Sequence, residues 1–93
     1  MEILEKLKLL KEDLKNLYGI ERIAIFGSAA RGEDTPSSDI DIVILQMRKK
    51  NGFTIARAKK FLEEKLNRKV DLGLYDSLNP FIKERIKKDM IDV

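Results

Sequence analysis

The stretch FGSAARGEDTPSSDID, residues 26–41, decides how the chain is read. Phe26 closes a short apolar run, Arg22-Ile23-Ala24-Ile25-Phe26, whose β-branched and aromatic content predicts a buried strand ending at Gly27-Ser28. Small, polar and turn-forming residues fill positions 29–38, with room for one helical turn and a loop. A second strand is expected over 39–45, where Ile40, Ile42 and Ile44 alternate with Asp39, Asp41 and Val43. Residues two apart on a strand share a face and lie roughly 6.5–7 Å apart along it. Asp39 and Asp41 therefore project together while the isoleucines turn into the core.

Upstream, Ile3, Leu7, Leu10, Leu14 and Leu17 recur at helical spacing among Glu, Lys, Asp and Asn, which predicts a helix over 2–18. Gly19 stands where a left-handed C-terminal cap is expected. The leucine spacing is read first as core packing, with a heptad-like seam for a partner or a second copy as the lesser alternative. Downstream, a basic turn at 47–52 leads to a helical stripe of Ile55, Ala58, Leu62 and Leu66. A third strand is expected over 68–75, with Val70, Leu72 and Leu74 opposed to Asp71 and Gly73. Asn79-Pro80 reads as an N-cap with proline at the first helical position, and Ile82, Ile86 and Met90 or Ile91 give a last helical face. The order is α-β-(short α/loop)-β-α-β-α. The class is α/β (α+β), with a small three-stranded mixed sheet covered by helices.

At 93 residues the chain is expected to form a single domain, 1–93. It has no cysteine and no histidine, which excludes a disulfide framework, a thiolate zinc site and the commonest general base. Chemistry must then come from carboxylates, hydroxyls, lysine, arginine, backbone amides or a hard metal ion. A formal net charge of +3 is mildly basic, compatible with an anionic substrate but short of a dedicated nucleic-acid binder, so no stable nucleic-acid binding is expected. No apolar stretch approaches the roughly 20 residues that span a bilayer. The expectation is a soluble, cytoplasmic protein with no membrane partner.

Asp71 occupies the third strand in the same alternation as Asp41. If the second and third strands are adjacent, Asp39, Asp41 and Asp71 meet on one surface and repel one another. A hard divalent cation relieves that repulsion, and Mg²⁺ favours carboxylates with phosphate oxygens and water. Gly27 lets backbone approach a phosphate closely, and the Ser28 hydroxyl can donate to it. Together these features suit phosphoryl or nucleotidyl transfer. Plainer readings exist for each: Asp-x-Asp as solvent-facing polar residues, Asp71 as an exposed acid, Ser28 as a turn residue. Arg31 reads as a phosphate contact or, equally, as a surface arginine or a brace for the acidic cluster. Four fixed residues at this spacing arise by chance on the order of once in 10⁵ starting positions, which favours the chemical reading.

Gly27-Ser28, ten residues, then Asp39-x-Asp41 resembles the signature of the DNA-polymerase-β-type nucleotidyltransferase superfamily. The fuller stretch, Phe26 to Gly32 and Ser38 to Asp41, is similar to its minimal nucleotidyltransferase (MNT) branch, and the resemblance covers almost the whole chain. It implies the nucleotidyltransferase fold, ATP as substrate, and one or two Mg²⁺ ions held by Asp39, Asp41 and Asp71. It also implies a role for Asp71 in taking the proton from the acceptor hydroxyl. Gly27, Ser28, Arg31 and Ser38 are then the candidate nucleotide-binding residues. The implied partner is a HEPN-domain toxin, adenylylated on a tyrosine by an antitoxin of this type. The alternative is an antitoxin that silences the toxin by complex formation alone.

Overall fold

The computed structural model describes residues 2–93. α1 spans Glu2–Tyr18, β1 Ile20–Phe26, α2 Gly27–Ala30, β2 Ile40–Met47, α3 Gly52–Leu66, β3 Val70–Leu74, α4 Pro80–Lys87 and β4 Ile91–Asp92, with a 3₁₀ turn at Tyr75–Ser77 before α4. The helix ends follow the chemistry of their caps. Gly19, at φ +68°, donates its amide to the Lys15 carbonyl and turns α1 directly into β1. Asn51 Oδ1 accepts the amides of Phe53 and Thr54, so α3 starts at Gly52, three residues before its apolar stripe begins at Ile55. Asn79 Oδ1 accepts the Ile82 amide at 2.9 Å, and Pro80 sits inside the first turn of α4.

The sheet has the order β3-β2-β1-β4. β1 and β2 are antiparallel, and β2 and β3 are parallel with α3 as the crossover between them. The fourth strand corrects the expectation of three. α4 ends at Lys87 instead of running on through Met90 and Ile91, and Ile91–Asp92 pairs with Ala24–Ile25 on the free edge of β1. The Val93 amide extends the pairing by donating to the Ile23 carbonyl at 3.1 Å. Covering that edge satisfies backbone groups that β1 would otherwise expose, and a two-residue strand is too short to show a period.

One face of the sheet carries the main core. Ile23 and Ile25 of β1, Ile40, Ile42 and Ile44 of β2 and Val70 of β3 pack there against Leu7 and Leu14 of α1 and Ala58, Leu62 and Leu66 of α3. A fully buried isoleucine contributes about 1.5–3 kcal/mol by leaving water. The opposite face holds only Ala24, Val43 and Ile86 as buried residues, with Phe26, Leu45, Tyr75, Leu78 and Met90 around them. α4 thus covers part of that face and leaves the rest, where β1 ends and β2 begins, open to solvent.

Candidate active site

The site is built where β1 stops. Phe26 is extended, and Gly27 turns to φ +71° to open the single helical turn of α2. A side chain at position 27 would be excluded twice. The left-handed backbone disfavours one, and a Cβ there would lie 2.5 Å from Asp41 Oδ2. The glycine is therefore what allows the Asp41 carboxylate to rest against the backbone of this turn. Ala29, 1% exposed, anchors the turn in the core, while Ser28 is half-buried beside Gly27.

The sheet register brings the predicted acids together. Asp41 is the cross-strand partner of Phe26 on one side and of Asp71 on the other. Neighbouring residues in register share a face, so Asp41 and Asp71 stand side by side. Asp39 lies just before β2, exposed, two residues from Asp41 and on its face. The Asp41 carboxyl is held above the usual carboxylate range, first by burial, then by the negative charges of Asp71 and Asp39, with Arg31 opposing them. The three carboxylates do not form a closed ligand group, since no cluster of three acidic side chains poised for an ion is found among the described residues. As a donor set they suit a hard divalent cation: all oxygen, all anionic, and mutually repelling at Asp41.

A cavity of about 390 Å³ opens above Asp41 between α2 and α4. Gly27, Ser28 and Arg31 line one wall, and Ile82, Arg85, Ile86 and Asp89 line the other. Arg31 Nη1 donates to Asp89 Oδ2 at 2.6 Å, and its Nε donates to Glu33 Oε1 at 3.1 Å. These contacts tie α2 to the turn that follows α4, and none of the hydrogen bonds of Arg31 reaches Asp39, Asp41 or Asp71. Ser38 is placed differently from Gly27 and Ser28. Its hydroxyl accepts the Thr35 amide at 3.0 Å and meets Thr35 Oγ1 at 3.0 Å, so it shapes the loop before Asp39 and is not part of the cavity wall.

Two contributors escaped the sequence. Arg68, largely buried, donates to the carbonyls of Thr35 at 2.7 Å and Ser38 at 2.8 Å and pairs with Asp34 at 3.3 Å. It fastens the loop that delivers Asp39, from thirty residues away in sequence. The second is the wall made by α4 and the turn after it, where Arg85 and Asp89 face the cavity with Ile82 and Ile86. The 82, 85, 86, 89 spacing was the available signal, but only its apolar members stand out as a stripe. A larger cavity of about 650 Å³ lies elsewhere, between the start of α1, the 34–36 loop and the end of α3, and holds none of the three aspartates.

Residues 7–93 match the family model described as a nucleotidyltransferase domain. A Methanocaldococcus jannaschii chain bearing the provisional name of a protein adenylyltransferase is 41% identical over 91 residues, covering 97% of this chain and 93% of that one. A solved structure described provisionally as a minimal nucleotidyltransferase is 31% identical with a TM-score of 0.78, covering 97% of this chain and 95% of its own. A chain from a solved toxin–antitoxin complex containing MntA is 25% identical with a TM-score of 0.72, covering 96% of this chain and 68% of its own.

Proposed function

The chain belongs to the nucleotidyltransferase domain family, and from that premise we propose that it is a cytoplasmic, Mg²⁺-dependent protein adenylyltransferase. It acts as a single catalytic domain and as the antitoxin of a toxin–antitoxin pair. It transfers AMP from ATP to a tyrosine of a HEPN-domain toxin. Support comes from the adenylyltransferase name of the M. jannaschii relative and from the toxin–antitoxin complex that contains a similar chain. The observation that carries the chemistry is the Asp41 carboxylate, wedged against Gly27 beside Asp71 and raised in pKa by burial and then by the charges of Asp71 and Asp39, in the wall of the cavity of about 390 Å³.

In this reading Asp39, Asp41 and Asp71 hold the metal. Bound there, Mg²⁺ supplies polarisation of the α-phosphate and neutralises charge on the departing pyrophosphate. Gly27 lets the triphosphate approach the backbone of α2, and the Ser28 hydroxyl donates to it. Asp71, exposed beside Asp41, accepts the proton of the acceptor hydroxyl. The acceptor oxygen forms its bond to the α-phosphorus, the bond to the bridging oxygen breaks, and pyrophosphate leaves with that oxygen.

The test is label transfer from ATP marked on the α-phosphate, with Mg²⁺, in the presence and absence of the product of the adjacent gene. Label is expected on that partner and is expected to vanish with Asp39→Asn or Asp41→Asn. Undiminished transfer by the double variant would overturn the assignment. Silencing of the partner by the double variant as complete as by the parent would move the function to complex formation alone.

A further inference from the structure

α4 brings Ile82, Arg85 and Ile86 to the site, and the turn after it brings Asp89. Ile82, Arg85 and Ile86 are positions i, i+3 and i+4 on one face of α4, the side that meets the sheet, where apolar residues are the rule, and Asp89 follows in the turn after the helix. Ile86 conforms and is 7% exposed, buried against Ala24 and Val43. Asp89 departs from the rule but is answered by Arg31. Arg85 departs from it without an answer: it forms no ion pair with any described residue, and it stays open to solvent on the cavity wall.

The charge around the cavity sharpens the point. Asp39, Asp41, Asp71 and Asp89 all bear on this end of the sheet, and Arg31 is already engaged by Asp89 and Glu33 through Nη1 and Nε. A polyphosphate entering here meets carboxylates on one side and needs an uncommitted cation on the other. A guanidinium suits that need because its planar fork binds phosphate oxygens in pairs.

We propose that Arg85 binds the β- and γ-phosphates of the nucleotide and stabilises pyrophosphate as it leaves, while Arg31 holds α4 in position. The proposal rests on the nucleotidyltransferase reading above and assigns the polyphosphate end of that substrate to α4. Negative charge grows on the β-phosphate as the bond from the α-phosphorus to the bridging oxygen breaks, so a fixed guanidinium there gains strength as the reaction proceeds.

Calorimetric titration of the full chain in Mg²⁺ with ATP, AMP and pyrophosphate tests this directly. Arg85→Ala is expected to weaken ATP and pyrophosphate about tenfold or more while AMP changes less than about twofold. Arg85→Lys is expected to fall between them, because it restores the charge without the fork. Unchanged ATP binding by Arg85→Ala would overturn the proposal, as would an equal loss for all three ligands. A selective ATP loss in Arg31→Ala, with Arg85→Ala like the parent, would transfer the role to Arg31. A parent that binds none of the three would instead sink the nucleotidyltransferase reading itself.

Discussion

The two faces of β2 are built to opposite ends. Ile40, Ile42 and Ile44 point one way and are 0–2% exposed among the side chains of α1 and α3. Asp39 and Asp41 point the other way, and Asp41 is partly desolvated beside two like charges. Both sets come from one run of alternating residues, so neither face can shift without shifting the other. The isoleucine face stabilises the fold. The aspartate face holds charges in an arrangement the fold alone would not favour.

The largest expected effect tests the packed face. Ile42→Ala should lower stability by about 3–4 kcal/mol, because it deletes buried methyl groups and leaves a cavity under α1 and α3. Thermal unfolding followed by circular dichroism should show a Tm drop of at least about 12 °C. A drop of only a few degrees would break the contrast between the faces.

Arg68→Ala comes next. It removes two donors to loop carbonyls and leaves Asp34 without its cation, an expected loss of about 1–3 kcal/mol. Hydrogen exchange should accelerate across residues 34–39 before it does in α1. Uniform acceleration would mean that Arg68 supports the whole fold and not the loop that presents Asp39.

Gly27→Ala is smaller in stability, about 1–2 kcal/mol for a side chain at φ +71°. Its added Cβ also displaces the Asp41 carboxylate. AMP transfer should therefore fall far more than the stability change accounts for. Transfer that fell only in proportion to the unfolded fraction would argue that Asp41 need not rest against this turn.

Much of the frame was legible in sequence because it is local. The helix over 2–18, the strand before Gly27, the alternation over 39–45 and the caps at Gly19 and Asn79 are set by neighbours within a few residues. The pairing of Asp41 with Asp71 followed once β2 and β3 proved adjacent. What stayed hidden depends on contacts between distant residues. β4 is defined only by the β1 edge it meets, Arg68 only by a loop thirty residues earlier, and the Arg31–Asp89 pair joins positions 58 apart. Ser38 carried the right motif position, yet its hydroxyl is used within its own turn.

The Asp41 charge is held at a cost to the fold, and the pH dependence of stability measures that cost. The folded-state pKa of Asp41 lies above its ordinary 3.8, so the unfolded chain releases this proton first. Stability from this group is complete at pH below 3.8 and is lost as the pH rises through the raised folded value. Tm should be followed from pH 3.5 to 8 for the parent and Asp41→Asn. The expected result is a variant more stable than the parent at neutral pH, converging with it on acidification, and unable to transfer AMP. A variant less stable than the parent at neutral pH, or equally stable and still active, would contradict the account.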